Sequence, residues 1–250
     1  MPHTTASTPS TRTVVLTGAT GGMGRATAAW LTAKGWQVLG LGQRPEALAA
    51  LADTLGPRFT PLAGDLREPT LVDSVLERLS DLPPLTGLVN LAGVSQGGRL
   101  DTLTDADWQA AFDINVTPSL RLIRGLSPQM QQRGAGSIVN VGSPVGVVGA
   151  RKPQYAASKA ALHGLTMSCA RTLGPRGVRV NLLLPGPTLG GMTSDWSDAQ
   201  REQVAQGTLL KRLCQPEEVA RVIAFLLGTD SSYLTASVLD MTAGSMMGHA

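Results

Sequence analysis

Cysteine and histidine are scarce in this 250-residue sequence. The two cysteines, Cys169 and Cys214, lie 45 positions apart, form no CxxC motif and have no pair of histidines beside them. The three histidines, His3, His163 and His249, show no spacing typical of metal ligands. The sequence therefore predicts neither a metal site nor a redox pair, and both cysteines are expected to pack as small apolar residues.

Long apolar runs and clusters of basic charge are also missing. No apolar run reaches the roughly 18 residues that a membrane-spanning helix needs. Residues 1–11 are polar and rich in Ser, Thr and Pro, so we expect a disordered tail rather than a signal peptide, and a cytoplasmic protein. The net charge is +3, but Lys and Arg are scattered and not interleaved with aromatic residues. This pattern predicts no nucleic-acid partner; the basicity serves either a phosphorylated small molecule or no binding role.

Short apolar runs alternate with helical patterns along the chain, which predicts one α/β domain over residues 12–250. Strands are expected at 13–17, 36–42, 59–63, 85–91, 137–141, 178–184 and 238–241. Helices are expected at 25–34, from 45 onward, at 69–79, at 105–132 with interruptions near Pro118 and Pro128, at 153–173 and at 216–228. The spacing favours a doubly wound parallel sheet of about seven strands with helices on both faces. Residues 188–207 are polar and contain glycine, and we predict a mobile lid there.

A glycine-rich turn, TGATGGMG, follows the first predicted strand. Gly18 permits a tight turn, Gly22 lets backbone amides approach a pyrophosphate, and Gly24 allows close packing of the following helix. Because the turn lies between a strand and a helix, a Rossmann-type dinucleotide loop is favoured over an ordinary glycine-rich turn. The residues assigned to cofactor binding in this loop are Gly18, Thr20, Gly21, Gly22, Met23 and Gly24.

The end of the second strand is expected to read the adenosine ribose of the cofactor. An acidic residue there would bind the free 2′-hydroxyl of NAD, but the sequence has Gly42, Gln43 and Arg44, with no acid before Glu46. Arg44 can pair with a 2′-phosphate, so NADPH is the predicted cofactor and NAD remains possible. The alternative is that Arg44 is a solvent-facing residue at the start of a helix.

The segment YAASK contains Tyr155, one of only two tyrosines, and Lys159. Residues four apart on a helix share a face, and a nearby ammonium is expected to lower the pKa of the phenol from its usual value of about 10. Lys159 could also bind the nicotinamide ribose. Ser143, at a strand end, could orient a carbonyl, and Asn115 could hold a water that links Lys159 to solvent. Core packing for Tyr155 and capping roles for Ser143 and Asn115 are the structural alternatives.

Taken in order, these motifs resemble the short-chain dehydrogenase/reductase family in its single-domain form, over residues 12–247. The motifs are TGATGGMG, Asp65-Leu66, Asn90-Leu-Ala-Gly93, Asn115, Ser143, Tyr155-x-x-x-Lys159 and Pro185-Gly186. Within the family, the sequence is most similar in overall shape to 3-oxoacyl carrier-protein reductases and related carbonyl reductases. It departs from the family at Leu91, where a second Asn is usual, and at 240–244, where Asp-Met-Thr-Ala-Gly replaces Asp-Gly-Gly.

The resemblance implies a role for each matching residue. Asp65 would accept a hydrogen bond from the adenine amine and Leu66 would pack on its ring. Asn115, Ser143, Tyr155 and Lys159 would form the catalytic tetrad. The remaining cofactor contacts would come from Asn90, Ala92 and Gly93 beside the adenine ribose, and from Pro185, Gly186 and Thr188 at the nicotinamide. Homo-oligomers, tetramers or dimers, are also implied.

The substrate is the least specified part of the prediction. The expected substrate-binding residues, which make the pocket partly apolar, are Ser95, Ser143, Val145, Gln154, Tyr155, Met192 and Trp196. Arg151 and Lys152 could meet an anionic substrate or an acyl carrier, or lie in a solvated loop. The leading hypothesis is an NADPH-dependent reductase of a ketone or 3-oxoacyl carbonyl. The alternatives are an NAD(P)-dependent alcohol or cis-dihydrodiol dehydrogenase, and a cofactor-binding sensor, which would be expected to lack the Tyr or the Lys.

Overall fold

A computed structural model describes residues 12–247; the predicted tail at 1–11 and His249 lie outside this range. The strands are β1 Thr13–Thr17, β2 Gln37–Gly42, β3 Phe59–Ala63, β4 Leu85–Asn90, β5 Gly136–Val141, β6 Val178–Pro185 and β7 Val238–Met241. The helices are α1 Gly22–Ala33, α2 Pro45–Leu55, α3 Leu71–Leu79, α4 Asp105–Asn115, α5 Thr117–Arg133, α6 Val145–Val148, α7 Pro153–Leu173, α8 Asp198–Gln206 and α9 Pro216–Leu227. The predicted strands are confirmed to within one or two residues.

The strands form one parallel sheet in the order β3-β2-β1-β4-β5-β6-β7. The chain runs outward from β1 to β3 and then returns to the other side of β1, where β4 begins the second half. This reversal leaves a crevice at the carboxyl ends of β1 and β4, the place where open α/β sheets bind ligands. The sheet is the doubly wound α/β fold that the strand–helix alternation predicts.

Two apolar layers cover the sheet, one on each face. The first lies under α1, α2 and α9 and includes Ala28, Leu31 and Ile223. The second lies under α3, α5 and α7. Every residue of β1 is buried because helices pack on both sides of it, which explains why its sequence is β-branched and apolar without polar alternation.

A row of buried polar side chains crosses the middle of the sheet. Asn90 of β4 and Asn140 of β5 stand opposite each other, and the Asn90 side-chain nitrogen donates to the Asn140 side-chain oxygen at 2.8 Å. Asn140 in turn donates to the hydroxyl of Thr166 on α7 at 2.9 Å. A one-residue slip of β4 against β5 would leave these buried groups unpaired, so the row fixes the register beside the crevice.

The sequence predicts a helix interruption near each of two prolines, and only one of the two is confirmed. The chain breaks at Val116, and Pro118 lies in the first turn of α5, as the sequence predicts. The expected interruption at Pro128 is wrong, because α5 continues through it to Arg133. An interior proline costs a helix about 3 kcal/mol. Leu126 and Met130, on either side of Pro128, are fully buried in the second apolar layer, and this packing holds the helix together.

The segment predicted as a lid, residues 188–207, contains defined secondary structure. A 3₁₀ turn spans Gly191–Thr193, and α8 begins with a capping box formed by Ser197 and Gln200. The Thr193 hydroxyl is buried and donates to the Thr188 carbonyl at 2.7 Å. The segment is therefore attached to the end of β6; its mobility stays a prediction. Among residues 12–247, the helices are all too short or too polar to cross a bilayer.

Candidate active site

The predicted catalytic residues meet at the carboxyl end of the sheet. Ser143 follows β5, Tyr155 and Lys159 lie in the first two turns of α7, and Asn115 ends α4. Gly93, three residues past β4, lies between them: a Cβ atom placed there would be 3.0 Å from the Lys159 Nζ atom and 3.2 Å from the Asn115 Oδ1 atom. Three segments from distant parts of the chain thus converge on one point, and only a residue without a side chain fits between the lysine and the asparagine.

Lys159 is buried, with 4% of its surface exposed. Its Nζ atom donates to the carbonyl of Val141, the last residue of β5, at 3.0 Å. Burial lowers the pKa of Lys159 to about 8, so the ammonium form still predominates at neutral pH. The lysine therefore brings a positive charge to the end of β5, in the low-dielectric interior where a charge acts most strongly.

Tyr155 is half-buried, and burial raises the pKa of its phenol above the ordinary value. A hydrogen bond with the Ser143 side chain opposes that rise by a smaller amount. The prediction that Lys159 lowers the Tyr155 pKa is wrong in this arrangement, because the lysine is directed at the Val141 carbonyl and desolvation of the phenol dominates. The phenol is therefore protonated at neutral pH, and desolvation makes it a weaker acid than an exposed tyrosine.

Asn115 is buried and uses both ends of its amide. Its Oδ1 atom accepts from the backbone nitrogen of Val94 at 2.8 Å, and its Nδ2 atom donates to the Val94 carbonyl at 3.0 Å. The same nitrogen donates to the Ser158 hydroxyl at 2.9 Å, and Ser158 donates to the Tyr155 carbonyl at 2.8 Å. Asn115 thus ties the segment after β4 to the turn of α7 that carries Tyr155. Ser158 belongs to YAASK, but the sequence reasoning gave it no role.

The glycine-rich turn forms a cradle between β1 and α1. Gly18 has a φ of +69°, as a tight turn off the strand requires. A Cβ atom on Gly24 would lie less than 3.0 Å from backbone atoms of Gly18 and Ala19, so α1 packs directly on the turn. The first turn of α1 has no acidic residue. The first N–H groups of a helix have no partner within the helix, so those at the start of α1 are available to an anion. These features fit the pyrophosphate of a dinucleotide.

The cradle is held by two side-chain contacts. Arg25, in the first turn of α1, donates from its Nε atom to the Thr20 carbonyl at 2.9 Å. The hydroxyl of Thr17, at the end of β1, accepts from the backbone nitrogens of Leu91 and Ala92, both at 3.0 Å. The role of Thr17 was missed in the sequence reasoning, although it is the first residue of the TGATGGMG motif. It joins the phosphate cradle to the segment after β4.

The adenosine end of the crevice combines Arg44 with a charged pair. Arg44 is exposed directly after β2, as the N-cap residue of α2. Asp65 follows β3, next in the sheet, and accepts from the Arg67 side chain at 3.0 Å and from the Arg67 backbone nitrogen at 2.9 Å. Hydrogen bonding to Arg67 lowers the Asp65 pKa to about 2. The carboxylate at the end of the neighbouring strand β3 is therefore already paired. Leu66 packs against the second apolar layer.

The nicotinamide end lies where β6 stops. A Cβ atom on Gly186 would lie 2.9 Å from the Thr242 Cα atom, so the chain after Pro185 runs close against the segment after β7. Thr188 is buried, and its hydroxyl donates to the Gly186 carbonyl at 2.9 Å. Cys214 forms a parallel bridge with Thr188. Burial raises the pKa of the Cys214 thiol, which fits the packing role predicted for it.

Of the predicted substrate residues, Ser143 and Met192 lie at the Tyr155 hydroxyl. The Tyr155 hydroxyl is 4.0 Å from the Met192 sulfur, which brings the lid segment to the proton donor. Val145 begins α6, and α6 packs on α7 so closely that a Cβ atom on Gly146 would lie 2.8 Å from the Ala160 nitrogen. Trp196 is half-buried in the lid segment. Substrate contacts by Val145 and Trp196 stay a prediction.

Ser95 and Gln154 lie where the start of α7 is bonded to the loop after β4. Gln154 is fully buried, and its amide nitrogen donates to the carbonyls of Gln96 and Gly98 at 2.8 and 3.2 Å. The structure therefore gives Gln154 partners in the neighbouring loop, where the sequence reasoning expected a substrate contact. Between residues 12 and 247, no cluster of three or more His, Cys, Asp or Glu residues could hold a metal ion.

Comparisons with known proteins find relatives over nearly the whole chain. A family described as Enoyl-(Acyl carrier protein) reductase matches residues 18–245. The chain is 33% identical to the 3-oxoacyl-[acyl-carrier-protein] reductase FabG of Vibrio harveyi over 235 residues, which cover 93% of this chain and 96% of the relative. The 3-oxoacyl-[acyl-carrier-protein] reductase FabG of Escherichia coli K12 is 32% identical over the same shares of both chains.

Two further similarities extend the range of activities among its relatives. The chain is 32% identical to the 2,3-dihydro-2,3-dihydroxybenzoate dehydrogenase of Bacillus subtilis over 248 residues, which cover 93% of this chain and 95% of the relative. A crystal structure of a candidate gluconate dehydrogenase from Agrobacterium tumefaciens superimposes with a TM-score of 0.88 at 27% identity. That match covers 94% of this chain and 96% of the other.

Proposed function

Because the chain belongs to the short-chain dehydrogenase/reductase family and is an NAD(P)-dependent oxidoreductase of CH–OH and C=O groups, we propose that it reduces a ketone or 3-oxoacyl carbonyl with NADPH. The observation that carries this proposal is the Tyr155 hydroxyl, which burial keeps protonated, beside Ser143 at the carboxyl end of the sheet. When bound, the reduced nicotinamide supplies the hydride. Tyr155 then donates its proton to the developing alkoxide, and Ser143 orients the carbonyl oxygen.

Lys159 supports the same step by holding the cofactor. Its ammonium is bonded to the Val141 carbonyl at the end of β5, and with a lowered pKa of about 8 it is still charged at neutral pH. In the proposed complex it binds the nicotinamide ribose hydroxyls and so places the cofactor beside Tyr155. Tyr155 is protonated at neutral pH, which is the state that reduction needs. The relatives named as 3-oxoacyl-[acyl-carrier-protein] reductases support a 3-oxoacyl substrate.

A substrate panel tests the proposal. We expect NADPH to be oxidised in the presence of neutral ketones and 3-oxoacyl esters, and NADH to be oxidised more slowly at the same concentration. The measurement is the loss of reduced-nicotinamide absorbance, with primary amides as substrates that this chemistry cannot reduce. Absence of NADPH oxidation with every ketone and 3-oxoacyl ester would contradict the proposed function.

Arg44 carries the proposed preference for NADPH. It is exposed after β2, and the neighbouring carboxylate of Asp65 is paired with Arg67, so it is free to meet a 2′-phosphate. Arg44→Ala is expected to weaken NADPH binding by about 10-fold or more, the loss of one charge-assisted contact, and to leave NADH binding within about twofold. Fluorescence titration of both nucleotides measures the change.

Arg58 provides the matched control for Arg44. It is also exposed, but it lies directly before the amino end of β3, whereas Arg44 follows the carboxyl end of β2. The two arginines are therefore at opposite ends of these parallel strands. Arg58→Ala is expected to leave the affinity for both nucleotides unchanged. An equal loss of NADPH affinity in both variants would mean that general basicity, and not Arg44, sets the preference.

A second candidate function is oxidation of an alcohol or cis-dihydrodiol with NAD(P). The relative named 2,3-dihydro-2,3-dihydroxybenzoate dehydrogenase, at 32% identity over most of the chain, supports it. Oxidation needs Tyr155 as a proton acceptor, and its raised pKa makes the phenolate less available at neutral pH. We therefore propose it second, and faster NADP reduction by cis-dihydrodiols than NADPH oxidation by ketones at neutral pH would reverse this order.

We also propose that the protein is a cytoplasmic homo-oligomer, a tetramer or dimer. Exposed apolar side chains support a subunit contact: Met247, at the end of the described residues, is 81% exposed, and Leu209 and Leu210 are 57% and 62% exposed. The backbone nitrogen of Leu209 donates to the Ala243 carbonyl, which joins this segment to the chain end. Light scattering of the full chain is expected to give a mass of at least twice 26.0 kDa. A single 26.0 kDa species at micromolar concentration would contradict it.

A further inference from the structure

The segment after β4, residues 94–98, has no helix or strand of its own, yet four of its five carbonyls accept hydrogen bonds from side chains. The Val94 carbonyl accepts from Asn115 at 3.0 Å and the Ser95 carbonyl from the Lys152 Nζ atom at 2.7 Å. Those of Gln96 and Gly98 accept from Gln154, as described above. We name residues 94–98 the polar wall, because carbonyls along it are bonded to the turn of α7 that carries Tyr155.

Lys152 and Gln154 both reach the polar wall from the amino end of α7. Lys152 is the N-cap residue of α7, and Gln154 lies in its first turn, directly before Tyr155. Their bonds connect this turn to carbonyls 56 to 58 positions earlier in the sequence. The same helix therefore carries the proton donor and holds the polar wall.

The fit around Gln154 requires the glycine opposite it. Gly97 lies between the two carbonyls that Gln154 binds, and its φ is +90°. A Cβ atom at Gly97 would lie 2.5 Å from the Gln154 Nε2 atom and 3.0 Å from the Asp107 Cβ atom. The wall closes on the glutamine at a point where no larger residue fits, so Gln154 and Gly97 form a built contact and not a chance approach.

Given the proposed function, on which this inference rests, we propose that Lys152 and Gln154 are positioning residues that clamp the polar wall. The clamp sets the distance between the wall and the Tyr155 hydroxyl and thereby determines which carbonyl substrates fit. Neither residue touches the reacting atoms. Lys152 is half-buried with its ammonium bonded to a backbone carbonyl, whereas the adjacent Arg151 is exposed and makes no side-chain hydrogen bond within residues 12–247.

The competing role for Lys152 is direct recognition of an anionic substrate. The two roles differ in how they depend on substrate charge. A clamp changes the wall for every substrate, so losing it raises KM for neutral and anionic ketones alike. A lysine that binds a carboxylate affects KM only when the carboxylate is present.

The test uses the full chain with Lys152→Met, Lys152→Arg and Arg151→Met, assayed with ethyl 3-oxobutanoate and with 3-oxobutanoate. Lys152→Met is expected to raise KM for both ketones by about 3- to 10-fold, the effect of one lost hydrogen bond, with kcat and the NADPH Kd within about twofold. Lys152→Arg keeps a donor and is expected to restore most of the KM. Arg151→Met removes the neighbouring charge and is expected to change nothing. A KM increase confined to 3-oxobutanoate would overturn the clamp in favour of anion recognition.

Hydrogen exchange of the backbone amides gives a second readout that needs no activity. Lys152→Met is expected to speed exchange in residues 94–98 at least about 3-fold, with exchange in β1 unchanged and Arg151→Met without effect. Unchanged exchange at 94–98 would overturn the clamp. Faster exchange in a protein whose wild type reduces no ketone would support the clamp and refute the proposed function, so the two failures are distinguishable. Lys152 is preferred over Gln154 for this test because the buried Gln154 is more prone to global unfolding on substitution.

Discussion

Replacing Tyr155 with Phe is expected to lower kcat for ketone reduction by about 1,000-fold, within the range for loss of a general acid. The substitution removes one oxygen and keeps the aromatic ring, so α7 and its packing on α6 should be preserved. The phenol is protonated at neutral pH, and its oxygen lies beside Ser143 at the carboxyl end of the sheet. Steady-state kinetics with NADPH and the best ketone of the panel measure the loss.

The second tyrosine is a matched control. Tyr233 is fully exposed, and Tyr233→Phe makes the same chemical change far from the end of β5. It is expected to leave kcat and KM unchanged. NADPH binding by Tyr155→Phe should stay within about threefold of wild type, which separates the chemical step from cofactor binding. Turnover by Tyr155→Phe at half the wild-type rate or more would mean that the proton comes from another group.

Replacing Gly24 with Ala is expected to weaken NADPH binding by at least about 100-fold, the scale of 2.7 kcal/mol. The added methyl group would lie less than 3.0 Å from backbone atoms of Gly18 and Ala19, and neither strand nor turn can yield there without opening the phosphate cradle. Because α1 moves away from β1, the backbone N–H groups at its start no longer converge on one pyrophosphate. Isothermal titration with NADPH measures the affinity, and circular dichroism measures helix content.

Gly164 supplies the comparison for Gly24. It is also a helical glycine, in α7, but a Cβ atom there meets nothing within 4 Å. Gly164→Ala is expected to keep NADPH affinity and to stabilise the protein by about 0.5–1 kcal/mol, since alanine favours the helix. A folded Gly24→Ala protein that binds NADPH as tightly as Gly164→Ala would contradict the close approach of α1 to the turn.

Features set by local sequence were predicted well. β1 and the glycine-rich turn follow each other directly, and the positive φ of Gly18 and the packing at Gly24 match the roles expected of them. The spacing of Tyr155 and Lys159 likewise puts both on the first turns of α7. Local patterns of this kind depend on neighbours within a few residues, which a single sequence displays.

Features set by long-range contacts were not predicted. Lys152 was expected to be a solvated or anion-binding residue because its partner, the Ser95 carbonyl, lies 57 positions away. The direction of the Tyr155 pKa shift was wrong for a similar reason: the Val141 carbonyl, which receives the Lys159 ammonium, is a backbone atom, and its position depends on how β5 meets α7. Pro128 was misread because the packing of α5 against the sheet outweighs the intrinsic preference of proline.

The attachment of the polar wall to α7 has a consequence for how the enzyme tolerates thermal motion. Tyr155 and both clamp residues are fixed to a single turn of one rigid helix. A small translation of that helix displaces the proton donor and the wall by the same vector. Their separation is then conserved while the helix as a whole fluctuates, so errors in placing the substrate carbonyl against the phenol arise mainly at the lid segment, which is attached to β6.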